Sequence, residues 1–256
     1  MNSKVSILLA LYLLAVLFCL TFAPIKLSYN HYFNSSTEVV MSIERNYRNY
    51  SCDVPWVTFV VPFRDREQHL PLFLEAINHH QKHQMKSNVS QFKTKIFGNL
   101  TLFSFQFNIL IVEQEDKGRF NRAKLMNIGA KFAFSHMNQR CAKSKSEDHL
   151  CLIFHDIDML PLNSNLKYNC LSGPVGLASA AQQFKYKLPY LWYFGGVVAI
   201  SWRHFVLVNG YSNNYWGWGG EDDDFLTRIR VKKLRWGHIK PELGRFRVSF
   251  LISVIK

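Results

Sequence analysis

The sequence predicts an α/β protein: a mixed, mainly parallel sheet flanked by helices, behind an N-terminal transmembrane helix. Three observations predict it. Continuous apolar runs rich in β-branched residues stand at 56–62, 105–112 and 150–154, as expected of strands buried on both faces. Helix-patterned stretches separate or follow them, and strand–helix alternation favours parallel pairing. Ahead of both lies one uncharged apolar stretch at 5–23, long enough to cross a bilayer.

The N-terminal run VSILLALYLLAVLFCLTFA reads as an uncleaved signal anchor after a four-residue cytoplasmic tail, residues 1–4. A cleaved signal peptide would have a shorter apolar region, and cleavage after Ala23 would meet Pro24. Lys4 and Lys26 balance each other, so charge alone does not orient the segment. Sequons at Asn34, Asn49, Asn88 and Asn99 argue that the body is lumenal. Cysteine usage agrees. Cys151 and Cys170 are candidates for one disulfide, whereas Cys52 and Cys141 either pair or stay free. A formal charge of +13 favours anionic partners. In a lumenal body these are acidic glycans, lipid headgroups or nucleotide-sugar phosphates, not nucleic acid.

Residues 24–51 are polar and without clear periodicity, and read as a stem. The folded body is expected from Cys52 to the end, residues 52–256. The run at 56–62 is the first strand, and PFRDREQHL follows it, placing Arg64 and Arg66 where ligands bind open α/β sheets. Residues 67–86 look helical, and 87–101 look like a surface loop. After the second strand, Asn121 caps a helix whose Ala123, Met126, Ala130 and Phe134 share a face, with Arg122 at its start. The third run leads directly into HDIDMLP. Asp156 and Asp158 point to one side of an extended chain and suit a divalent cation completed by a diphosphate. His155 beside them is either a ligand or structural. Short strands are expected within 176–181 and at Val197–Ser201, a short helix at 202–208, a helix at 221–233 and a last strand at 235–239. Tyr193, in LPYLWYFGG, is a candidate neighbour of a bound sugar or a core aromatic.

The most informative stretch is NNYWGWGGEDDD, residues 213–224. Glu221, Asp222, Asp223 and Asp224 repel one another, which raises a pKa or draws in a cation or hydroxyl. The same acids would also suit a helix N-terminus. Trp216 and Trp218 among glycines are suited to a sugar face, and that combination favours a carbohydrate site.

PFRDREQHL, FNRAKLMNIGA, HDIDMLP, YFGGVVAIS and NGYSNNYWGWGGEDDDFLTRI occur in the order seen in the animal β-1,4-galactosyltransferases, and the chain resembles that family from about Cys52 to Arg247. The resemblance implies a GT-A-type, nucleotide-sugar-binding fold and a single-pass type II Golgi membrane protein with its catalytic domain lumenal. It implies inverting, Mn²⁺-dependent transfer of galactose from UDP-galactose to the 4-hydroxyl of a terminal N-acetylglucosamine. Carried over residue by residue, Pro62, Phe63, Arg64, Asp65, Arg66, Phe120, Asn121, Arg122, Asp156, Ile157, Tyr193 and Trp218 are donor-binding. Asp158 is the metal ligand. Gly220, Glu221, Asp222 and Asp223 bind the acceptor; Asp222 is the base, with Glu221 beside it as the second catalytic carboxylate. Cys151 and Cys170 match a family disulfide.

In this family a tyrosine at the position of Tyr193 selects galactose over N-acetylgalactosamine, the latter being the alternative donor. A membrane-anchored glycan-binding protein without turnover is the alternative of a different class. The chain departs from the pattern after GRFR: Val248 and Leu251 stand where the family has a methionine and a metal-binding histidine, and VSFLISVIK ends it. On that evidence a C-terminally truncated form with little or no transfer is a further alternative.

Overall fold

The computed structural model describes residues 25–28, 39–44, 56–92, 106–141 and 149–249. The apolar segment at 5–23 and the tail from 250 onward lie outside these residues, as do Asn34, Asn49 and Asn99. Among the described residues, no helix is long and apolar enough to cross a membrane.

Each apolar run forms its strand. β3 is Trp56–Phe63, β4 is Gln106–Gln114 and β5 is Leu150–His155. β3 pairs in parallel with both neighbours and is buried throughout, as two-sided coverage requires. Two strands within the segment read as a stem, β1 (Ile25–Ser28) and β2 (Val39–Glu44), add antiparallel to the β4 edge. On the other side β9 (Val197–Ser201) pairs antiparallel with β5, followed by β7 (Val175–Gly176) and β10 (Gly237–His238). The eight-stranded order is β1-β2-β4-β3-β5-β9-β7-β10. Within this sheet parallel pairing is confined to the β4-β3-β5 centre and the short β7-β10 pair, which corrects the mainly parallel expectation. The outer strands arrive by reversals that return the chain antiparallel, and runs of apolar residues do not encode direction.

A second sheet, β6-β11-β8, joins Met159–Pro161, Arg245–Val248 and Ala180–Ala181. It runs β11 beside the turn that carries Asp158: Val248 is in register with Met159, and Ser249 N–H donates to the Asp158 carbonyl at 2.8 Å.

Helix α1 (His69–Phe92) extends past its expected end and includes Asn88, so that sequon lies in a helix and not in a loop. Helix α2 (Arg122–Arg140) starts where Asn121 accepts a hydrogen bond from Lys124 N–H. Gly129 on it faces Val60 and Val112, where any side chain would clash. Helices α3 (Trp202–Leu207) and α4 (Glu221–Val231) complete the layer. Two apolar clusters cover the two faces of the sheet: one holds Val60, Leu125, Met126 and Phe225, the other Phe59, Phe73, Ile77 and Phe246. Cys151 and Cys170 form a disulfide, and Cys141 is disulfide-bonded to a partner outside the described residues.

Candidate active site

The β3 and β5 ends, the start of α2 and the start of α4 converge on one cleft of about 710 Å³. Strand alternation decides what β3 contributes. Pro62 faces the cleft, whereas Phe63 turns to the opposite side and is buried in the core. Phe63 therefore does not line this cleft. Arg64 lies 5.1 Å over the Phe120 ring and donates to the Gly118 carbonyl at 2.6 Å, and Asp65 and Arg66 complete this wall.

Asn121 is not a wall residue either. It is buried, caps α2 through its side-chain oxygen and donates from Nδ2 to the Asn213 carbonyl at 2.7 Å. That cap places Arg122 at the first helical position, where its guanidinium meets three carboxylates. Nε donates to Asp156 at 2.7 Å, and Nη1 donates to Glu221 at 3.1 Å and Asp222 at 2.8 Å. Burial opposes the Arg122 charge, but the three acids outweigh it and hold the group well above its ordinary range.

Burial also pushes Asp156 up to about 7, with Asp158 and Asp222 adding and Arg122 opposing. Asp222 is raised for the same first reason, opposed by Arg122 and helped by Glu221. A carboxylate raised toward neutrality and reaching the cleft is fitted to accept a proton. The four acids also make up the first turn of α4, so helix-terminus and site readings hold together.

Gly195 brings the chemistry together by close approach: a Cβ there would collide with Asp222 Oδ2 and the Tyr193 hydroxyl. Burial raises Tyr193, and Asp156 and Asp222 add to it. Its carbonyl accepts from His238 Nε2 at 2.6 Å, which braces the segment from behind. Tyr190 donates to Asp223 Oδ1 at 2.9 Å, and is pushed up to about 12 by burial and then by that bond. Gly217, Gly219 and Gly220 all have positive φ, and Trp218 between them is fully exposed at the cleft mouth.

Asp158 lines the cleft beside Asp156 and Ile157, half-buried. Ser249, whose N–H holds the Asp158 carbonyl, also shares a 2.7 Å hydrogen bond with His69 Nδ1 through its hydroxyl. His155 turns away from the cleft: it is buried, with Nδ1 donating to the Asp156 carbonyl and Nε2 3.1 Å from the Tyr168 hydroxyl. It is structural. Among the described residues no group of three His, Cys, Asp or Glu is arranged to hold a metal. Gln183, Phe184, Pro189 and Tyr190 also line the cleft and were not picked out from the sequence. Only Pro189 and Tyr190 carried a signal, as members of the LPYLWYFGG stretch.

The comparisons with known proteins agree with this geometry. A family model described as the N-terminal region of glycosyl transferase group 7 matches residues 23–171. One described as the N-terminal domain of galactosyltransferase matches 176–249. Human β-1,4-galactosyltransferase 4 is 35% identical over 205 residues, covering 80% of this chain and 51% of the relative. Bovine β-1,4-galactosyltransferase 1 is 33% identical over 192 residues, covering 75% and 40%. The chain thus spans about half the length of the curated relatives it matches. The catalytic domain of Drosophila β-1,4-galactosyltransferase 7 with xylobiose superposes with a TM-score of 0.55 at 34% identity, over 72% of this chain and 65% of that one. A variant of that enzyme with manganese, UDP-Gal and xylobiose gives 0.54 at 31% identity, with the same coverage. The α/β architecture is the GT-A-like fold of those structures.

Proposed function

The chain belongs to the β-1,4-galactosyltransferase family, and from that premise we propose that it transfers galactose from UDP-galactose, with inversion, to the 4-hydroxyl of a terminal N-acetylglucosamine. One observation carries the reading. A single cleft holds an arginine wall and Asp158 at one side, the Asp222–Glu221 pair at the other, and Arg122 ion-paired between them.

On this reading the diphosphate lies against Arg64 and Arg66, whose guanidinium groups offset its charge. Asp222 takes the proton from the acceptor hydroxyl as that oxygen attacks the anomeric carbon. Glu221, locked on Arg122, keeps the helix start in place. The Tyr193 hydroxyl lies close over Gly195 and Gly196, and on this reading it leaves no room for a bulkier N-acetyl group on the donor. This supports galactose over N-acetylgalactosamine. Trp218 is placed to cover the donor and exclude water.

A manganese ion fits the site in a limited sense. Asp158 offers a carboxylate oxygen to the cleft, and hard cations at phosphate sites need few protein oxygens. When bound there it would neutralise charge on the departing diphosphate. The chain is further proposed to be anchored through residues 5–23 in the Golgi membrane with its body in the lumen. A glycan-binding form without turnover is the second reading, favoured by the exposed Trp216 and Trp218 beside the acids.

The test is direct. Purified protein is given UDP-galactose or UDP-N-acetylgalactosamine with N-acetylglucosamine, with and without Mn²⁺. Galactose transfer is expected, falling by about 10²–10⁴-fold in Asp222→Asn while UDP binding persists. Sugar binding without UDP release from any donor would overturn the enzyme reading in favour of the second.

A further inference from the structure

Helix α4 sends Glu221, Asp222 and Asp223 into the cleft and ends on a surface of opposite charge. No carboxylate stands between Asp224 and Glu242, whereas Arg228, Arg230, Lys232, Lys233, Arg235 and Lys240 all do. Arg228 is taken up by Asp224 in an ion pair of 2.6 Å. Arg230, Lys232, Lys233 and Arg235 are exposed. The helix dipole accounts for cations in the last turn, and so for Arg228 and Arg230. It does not account for Lys233 and Arg235, which follow the helix end.

Aromatic rings lie among these charges. The Arg230 guanidinium is 4.5 Å from the Trp192 ring centroid, and Trp192 lies 5.9 Å from Trp236. Trp192 remains 47% exposed and its neighbour Leu191 70% exposed, an arrangement that calls for a partner. The patch also has a defined place. Trp192 stands in the chain between Tyr190 and Tyr193, both of which line the cleft, so the patch begins at the rim where Tyr190 holds Asp223.

We propose that this patch is a second binding surface for an acidic sugar chain running outward from the sugar seated at Asp222. Sulfates or carboxylates of the chain pair with Arg230, Lys232, Lys233 and Arg235, and the apolar face of one of its rings lies on Trp192. The inference rests on the acceptor reading of the cleft. Continuity with that cleft favours a glycan over the other anionic surface available, a bilayer. A membrane docked on Trp192 would cover the rim through which an acceptor must enter, whereas a sugar chain passes from one to the other. The cations also have the character of an electrostatic guide, strengthening capture at low salt and losing force as salt screens them.

The experiment uses the full chain in neutral detergent with two fluorescent probes of equal length, a sulfated hexasaccharide of the heparin type and neutral chitohexaose. The sulfated probe is expected to bind more tightly than the neutral one. Its affinity falls about tenfold in the triple variant Arg230→Ala/Lys232→Ala/Lys233→Ala, which removes three exposed pairings. Trp192→Ala weakens both probes, and Lys82→Ala, an exposed cation on α1, changes neither. UDP affinity, measured in parallel, stays at the wild-type value in the triple variant, showing an intact fold. The proposal is overturned if the triple variant holds the sulfated probe as tightly as wild type, or if Lys82→Ala causes the same loss. It is also overturned if the triple substitution abolishes binding to phosphatidylserine vesicles and leaves the sulfated probe unaffected. Absence of UDP binding in the wild type would instead count against the transferase reading, leaving the probe affinities to judge the patch.

Discussion

His80 and His155 flank one buried tyrosine. The His80 ring stands edge-on to Tyr168 with centroids 5.1 Å apart, and His155 Nε2 lies 3.1 Å from the Tyr168 hydroxyl. Because Nδ1 of His155 donates to the Asp156 carbonyl, Nε2 is the acceptor and Tyr168 the donor, which requires neutral imidazole. Burial pushes His155 down to about 3, and burial followed by His83 pushes His80 down to about 4. Both rings are therefore uncharged in the fold and gain protons on unfolding below about 6.5. Stability should be fully present above that value and drain as pH falls toward 4, by up to about 1.4 kcal/mol per pH unit for each histidine. His80→Leu removes one of the two titrations. Urea midpoints measured between pH 7 and 4 should decline less steeply in that variant than in wild type, and parallel slopes would show that His80 does not titrate with unfolding.

The loop bearing the tryptophans is held from outside, by helix α2. Asn127 Nδ2 donates to the Tyr211 carbonyl at 2.8 Å and to Asn213 Oδ1 at 2.7 Å, while its Oδ1 accepts from Tyr211 N–H at 2.9 Å. Asn121 adds its bond to the Asn213 carbonyl, and the Phe120 carbonyl accepts from Gly217 N–H at 2.7 Å. Asn127→Ala leaves these partners unbonded, at a cost of about 1–3 kcal/mol. The expected result is faster protease nicking within residues 214–220 and weaker UDP-galactose binding; an unchanged nicking rate would place the hold elsewhere. Little of this was legible in the sequence. The N-cap role of Asn121 was, because capping is local chemistry. The partners of Asn121 and Asn127 lie more than eighty residues onward, and no periodicity reports a contact of that range. The same distinction separates the strands that were found from those that were missed. The three long apolar runs announced themselves, whereas β6 and β11, three and four residues long, are too short to show a pattern. Phe63 lies in the core because alternation along β3 turns it away from the face that carries Pro62.

At the scale of the molecule, the two sheets divide the work of the cleft. The large sheet brings the Asp156–Asp158 turn to the end of β5, and the small sheet fixes it by laying β11 alongside. Val248 in register with Met159, and Ser249 bonded to both Asp158 and His69, carry the chain past Asp158 just before residue 250. Ser249 itself is thereby held beside the candidate metal position. The resemblance places the family's metal-binding histidine two residues on, at Leu251, which lies outside the described residues. A leucine there offers no lone pair, so on the proposed reading Asp158 and a nucleotide diphosphate would be left to hold the ion, with water for the remainder. An imidazole there would add a nitrogen donor that suits first-row divalent ions. Leu251→His is therefore expected to tighten Mn²⁺ binding in the presence of UDP, on the order of tenfold, a change comparable to those produced at metal sites by altering a supporting group. Paramagnetic resonance of free Mn²⁺, titrated against wild type and variant, reads this without any turnover. Asp158→Asn should abolish the gain, because the histidine would then have no protein carboxylate to act with. An Mn²⁺ affinity identical in wild type and Leu251→His would mean that the chain beyond Ser249 does not pass the site, and that β11 serves only to brace the Asp158 turn.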